Sequence, residues 1–140
     1  MSALLALKLN ELAPGQSAAV DFVVTASDML AFANLSGDHN PLHVDDDFAR
    51  NRGFLGRVVY GALLAAKVSQ LIGMRLPGRD SVWTALSLDF RKPLYIGEAA
   101  RAEGVVEAVS ESGGMVRLKL TLHAGEKLLA KGKAEVVVGQ

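Results

Sequence analysis

Residues 61–72 read Gly-Ala-Leu-Leu-Ala-Ala-Lys-Val-Ser-Gln-Leu-Ile, and they decide the fold class. Only Lys67, Ser69 and Gln70 are strongly polar, so the stretch predicts a helix that is apolar almost all round and therefore buried. Gly73 and then Pro77-Gly78 supply the signals that end it. Strand-like segments follow. Residues 81–91 are long and partly alternating. Residues 101–109 and 115–124 flank a turn at Ser112-Gly113-Gly114, and 128–138 follow Gly125-Glu126. One buried helix followed by such a run predicts an α+β domain in which an antiparallel sheet wraps the helix.

Upstream, residues 18–25 alternate well enough for a strand. Thr25 or Ser27 can cap a helix with Asp28 in its first turn. Met29, Leu30, Phe32, Ala33 and Leu35 give that helix an apolar stripe, and Gly37 can stop it. Asp45 can cap a short helix to about Arg50, with Asp46 and Asp47 in its first turn; these aspartates read as helix-end charges rather than metal ligands. The first ten residues lack a basic leader, and Lys8 and Asn10 interrupt the apolar run. They read as a first strand or arm, not a signal peptide.

At 140 residues the chain predicts a single domain, 1–140, with a core of its own. Half the residues are apolar and the net charge is zero, which argues against disorder and against electrostatic binding of nucleic acid. No segment reaches the length of a membrane span. There is no cysteine, so disulfides, thiol catalysis and thiolate metal sites are excluded, and a cytoplasmic location fits.

The candidate chemistry lies at residues 34–43, Asn-Leu-Ser-Gly-Asp-His-Asn-Pro-Leu-His. Asp38 and His43 are five positions apart, with Asn40 and Pro41 between them disfavouring a continuing helix, so His43 is expected on an extended piece. Such a pair can hold a water, take its proton and deliver a proton elsewhere. The plainer reading is a polar loop in which Asp and Asn cap turns. His39 and His43 have the i, i+4 spacing of a zinc helix. Pro41 intervenes, however, position 40 is Asn rather than Glu, and the only other histidine is His123, so no metal site is expected.

Gly37-Asp38-His39-Asn40-Pro41-Leu42-His43, preceded by Phe32-Ala33 and followed by Val44-Asp45 and Phe48-Ala49, resembles the hydratase 2 motif of the MaoC-like, (R)-specific enoyl-CoA hydratases. Residues 56–64 resemble the start of that family's central helix, Leu76-Pro77-Gly78 its exit, and residues 86–98 its long strand and turn. The likeness runs from about Leu12 to Val138. It implies a hot-dog fold, a homodimer with a continuous sheet, and reversible addition of water across the 2,3 double bond of an enoyl thioester of coenzyme A or an acyl carrier. No metal or redox cofactor is implied.

By the same resemblance, Asp38 and His43 hold the water, with the division of proton traffic between them left open. Gly61 opens the buried helix, where N–H groups lack partners and the dipole is positive. It is either the thioester-carbonyl donor or simply a tight turn. Ser69 matches a serine that supports the pair, or else satisfies its hydroxyl within the helix. Asn40 is a loop-shaping residue first. Tyr60 stands where the family often has His. Trp83 and Phe90 read as core or pocket wall. Arg91 and Lys92 are either a solvated strand end or a contact for a coenzyme A phosphate. The competing functions are a hot-dog thioesterase and a non-catalytic acyl-thioester-binding subunit. Residues 61–73 contain no Asp or Glu of the kind such thioesterases use, and intact Asp38 and His43 argue against a silent subunit.

Overall fold

A computed structural model describes residues 3–139. Its elements are β1 (Ser17–Val23), α1 (Ala26–Ser36), α2 (Pro41–Val44), α3 (Asp46–Asn51), α4 (Gly61–Met74), β2 (Ser81–Phe90), β3 (Ala99–Ser110), β4 (Met115–Ala124) and β5 (Lys127–Val138). The five strands form one sheet in the order β1-β3-β4-β5-β2, and every pairing is antiparallel. This is the expected sheet around a helix.

The sheet's inner face is built of unequal side chains. On β4, Val116, Leu118, Leu120 and Leu122 point inward and are fully buried. Their partners on the flanking strands are small. Leu120 faces Gly104 on one side and Gly132 on the other, and Leu122 faces Ala102 and Ala130. This ridge with a shallow margin on either side is the space into which α4 fits. A side chain at 104 would stand 3.1 Å from Leu71 Cδ2 of α4. Leu63, Leu64, Val68, Leu71 and Ile72 of α4 join the same core, each large one contributing about 1.5–3 kcal/mol by leaving water.

The burial of α4 is less complete than its composition predicts. Ala62, Ala66 and Ser69 lie on an exposed face. Gly73 does not end the helix, which runs on to Met74. The chain leaves it when Leu76 N–H bonds the Leu71 carbonyl over 2.9 Å and Gly78 N–H bonds the Ile72 carbonyl over 2.9 Å. Helical hydrogen bonding already in place carries a single glycine, which costs only about 1 kcal/mol there.

The N-terminal segment is an arm rather than a strand of the sheet. Leu5 N–H bonds Met74 O and Leu7 N–H bonds Pro77 O, a single bridge pairs Ala6 with Gly78, and a 3-10 turn follows at Leu9–Glu11. Met1 and Ser2 lie outside the described residues. Thr25 belongs to the cap of α1 rather than to β1, β2 ends one residue before Arg91, and β3 begins two residues before Arg101.

Helix α1 forms as its termini predict. The Thr25 hydroxyl accepts Asp28 N–H and the Asp28 carboxylate accepts Thr25 N–H, a reciprocal cap. Gly37 ends it at φ +77°, a left-handed conformation that glycine adopts without strain. Its stripe is narrower than predicted. Met29 and Ala33 are buried, whereas Leu30 and Leu35 face outward, Leu35 at 85% exposure.

Candidate active site

The loop after α1 is ordered by its own polar side chains. Ser36 Oγ accepts Asp38 N–H at 3.1 Å, Asp38 Oδ1 accepts Asn40 N–H at 3.1 Å, and Asn40 Oδ1 accepts Leu42 N–H at 3.0 Å. Each side chain closes a small turn on the backbone two residues on. Asn40 thereby caps α2, and Pro41 occupies its first position. The Asn-Pro pair starts a helical turn instead of preventing one, because proline's missing N–H is not needed there. His43 accordingly sits in α2, not on an extended segment.

His43 is half-buried, and its Nδ1 lies 2.7 Å from the backbone carbonyl of Val58. A carbonyl only accepts, so Nδ1 carries the proton and the lone pair of the neutral ring is on Nε2. The anchor is itself fixed. Val58 N–H returns to the Leu42 carbonyl at 3.1 Å, and Val59 N–H bonds Leu94 O at 2.9 Å. The strap between α3 and α4 thus sets the orientation of the imidazole.

Tyr60 joins the pieces. It is 2% exposed. Its hydroxyl donates to the Asp38 carbonyl over 2.6 Å, and its ring stacks on His43 with centroids 4.0 Å apart and planes 25° from parallel. The Phe32 ring also packs on it, with centroids 4.7 Å apart and planes tilted by 45°. Burial first, and then the neighbouring Asp38 charge, hold the phenol above its usual pKa, so it remains a donor. Residue 60 is also the N-cap of α4, its carbonyl accepting from Leu63 and Leu64. Asp38, His43 and the amino end of α4 are therefore all tied to one residue, the first two by its side chain and the last by its carbonyl.

Gly61 is the first residue of α4, where N–H groups have no intrahelical acceptor. The Phe90 ring lies against it, and a Cβ at 61 would stand 2.9 Å from Phe90 Cζ. Phe90 is 55% exposed, so it is a lid on Gly61 rather than core. Trp83 is half-buried against the core and donates through Nε1 to Ala85 O. Ser69 sits about 12 Å along the helix axis from Gly61, by the rise per residue, and is exposed in the single chain. A cleft of about 270 Å³ between α1 and α4 is lined by Phe32, Leu35, Leu63, Ala66, Lys67 and neighbours.

The aspartates after the site serve the local structure. Asp45 Oδ1 caps α3 through the N–H groups of Asp47 and Phe48, and Asp46 accepts Arg57 N–H while its carboxylate lies 3.6 Å from Arg57 Nε. Arg91 and Lys92 are exposed, and Arg91 N–H bonds Leu129 O. His123 is on β4 opposite Arg101, away from the loop that carries His39 and His43.

A family described as MaoC like domain matches residues 10–126. The chain belongs to that family. This MaoC-like protein is 36% identical over 131 residues to the (R)-specific enoyl-CoA hydratase of Aeromonas caviae, covering 93% of this chain and 98% of that one. It is 34% identical to the enzyme of the same name from Rhodospirillum rubrum, over 92% and 90% of the two chains. Its fold matches the solved A. caviae (R)-hydratase with a TM-score of 0.87 over 91% of this chain and 98% of that one. An unliganded (R)-hydratase from Pseudomonas aeruginosa matches with a TM-score of 0.90 at 28% identity, over 96% and 87%. Those hot-dog structures and the MaoC-like protein share one sheet around one helix.

Two parts of the MaoC-like site carry no clear mark in the sequence. The Val58 carbonyl is backbone and has no residue signature. Tyr60 is visible as a departure from the usual His, yet its two contacts become apparent only once the loop and the helix are in place.

Proposed function

We propose that the protein reversibly hydrates trans-2-enoyl thioesters to (R)-3-hydroxyacyl thioesters. The names of its full-length relatives support the reaction and its hand. A further relative, the 3-hydroxybutyryl-CoA dehydratase of Methylorubrum extorquens, 32% identical over 82% of this chain and 73% of its own, supports the reverse direction.

The observation that carries the reading is the hydrogen bond from His43 Nδ1 to Val58 O, which presents Nε2 as a base. Water held between His43 and Asp38 gives a proton to that base while its oxygen attacks the β-carbon. The α-carbon then receives a proton from the same pair. Charge developing on the thioester oxygen is met by the N–H of Gly61 at the positive end of α4. Proton transfer and one C–O bond balance the reaction, so no metal or redox cofactor is required. Asn40 shapes the loop, and Ser69 supports the pair only in an assembled site, since the single chain leaves it exposed. The cleft beside Phe32 offers apolar room for an acyl chain.

The substrate carrier is coenzyme A or an acyl carrier protein, and the location is the cytoplasm, in keeping with the cysteine-free composition. The working form is a homodimer. Edge strand β2 supports it, exposing Val82, Leu86 and Phe90 at 63%, 39% and 55% beside an unpaired backbone edge.

Purified protein is to be given crotonyl-CoA while the conjugated enoyl absorbance and free thiol are followed together. Loss of absorbance without thiol, with a 3-hydroxy product of (R) configuration, is the expected result. Thiol release identifies a thioesterase instead.

A further inference from the structure

We propose that Tyr60 is a positioning residue, which holds Asp38 through its hydroxyl and His43 through its ring so that the two act on one water. This inference rests on the hydratase reading of the site.

Three observations converge on this side chain. The 2.6 Å bond to the Asp38 carbonyl is the contact that links the exposed turn at Asp38 to the buried start of α4. The other contacts that order that turn are local: three side-chain bonds spanning two residues each, and His43 N–H to the Asn40 carbonyl at 2.9 Å. They shape the loop and lead it into α2, but none of them ties it to the start of α4 at Gly61. The stack at 4.0 Å limits tilting of the imidazole about its Nδ1 anchor, and the Phe32 ring, packed on the phenol at 4.7 Å, limits its swing. Residue 60 is also adjacent to Gly61 in sequence. A shift in the ring therefore moves base, acid and carbonyl donor together.

The hydroxyl and the ring have separable jobs. Tyr60→Phe removes the Asp38 contact and keeps the stack. Tyr60→Leu removes both. Neither contact touches the substrate, so the loss falls on turnover rather than on binding.

The test measures kcat, KM and melting temperature for Tyr60→Phe and Tyr60→Leu with crotonyl-CoA, together with amide hydrogen exchange across residues 37–44. The expected result for Tyr60→Phe is a kcat about tenfold lower, as for loss of one positioning hydrogen bond. KM should stay within about twofold, the melting temperature nearly unchanged, and exchange at residues 38–40 should be faster. Tyr60→Leu should lose more turnover and loosen the loop as far as His43. Unchanged exchange in both variants, or a wild-type kcat for Tyr60→Phe in an active enzyme, overturns the proposal. If the wild-type protein hydrates no enoyl thioester, the hydratase reading is what has failed. The exchange data alone then decide whether Tyr60 pins the loop.

Discussion

His43 and Val58 are joined by a 2.7 Å hydrogen bond in which a ring nitrogen meets a backbone carbonyl. They lie fifteen positions apart in the chain, with all of α3 between them. The bond settles the tautomer of the neutral ring. Nitrogen-resolved NMR of ¹⁵N-histidine protein should find His43 protonated at Nδ1 when neutral. His43→Ala should lower kcat by about 10²–10⁴-fold, the usual range for a lost general base, with the fold intact by circular dichroism. Near wild-type turnover in that variant would dismiss the proposed base.

Asp38→Asn separates charge from shape. An Asn side-chain oxygen can still accept Asn40 N–H, so the turn that Asp38 Oδ1 closes at 3.1 Å survives. The expected result is unchanged stability in urea and a kcat lower by about 10²-fold or more. A large loss of stability would mean that the carboxylate is there for the loop.

Gly61→Ala places a methyl where the thioester oxygen is proposed to approach. Phe90 Cζ, at 2.9 Å from that methyl, is the end of an exposed ring and can shift. Alanine also favours the helix by up to about 1 kcal/mol. Stability should therefore hold or rise slightly while turnover falls by about 10²-fold. Because the added methyl itself stands over the N–H, Phe90→Ala should not rescue the activity. Rescue would shift the role from the N–H to the ring.

The cap of α1 sets an acid limb of stability. The Asp28 carboxyl is held below its ordinary value of 3.8, first by the N–H of Thr25 and then by its hydroxyl. A depressed folded value means that the contribution is complete above 3.8 and is lost as pH falls through the lower folded value. Wild type and Asp28→Asn should therefore differ in urea midpoint at neutral pH and converge as pH falls below 3.8. Thr25→Ala should cost about 1 kcal/mol at neutral pH, read as a midpoint shift without change of slope.

The proposed homodimer sets strand β2 against a second copy. Leu86→Lys puts a charge in the middle of that edge, and sedimentation should then report a monomer where wild type sediments as a dimer. Wild type sedimenting as a monomer at micromolar concentration removes the homodimer from the proposal.

The fold was legible where one segment carries its own periodicity. The start of α4, β4 and the cap of α1 stand where their side chains and end signals put them, since each is decided by neighbours in sequence. Two misreadings share a cause. Gly73 and Asn40-Pro41 were read as breakers on intrinsic preference. One sits inside established helical bonding, and the other fills the single helical position that suits proline. The candidate site was legible only as residue types. Asp38, His43 and Gly61 are visible as residue types at a spacing. The Val58 carbonyl and the grip of Tyr60 depend on residues 15 to 22 positions away meeting in space.

The strand order carries a consequence for the growing chain. β1 precedes α4 and packs against it, yet its sheet partner is β3, with Ser17 opposite Val105, and β2, β3, β4 and β5 all follow α4. A polypeptide leaving the ribosome amino end first thus presents Leu63, Leu64, Val68, Leu71 and Ile72 only partly covered until β2, β3, β4 and β5 emerge. At ordinary translation speeds that interval lasts on the order of several seconds. That interval is when this stretch of the nascent chain is stickiest, and a chaperone has its opening then.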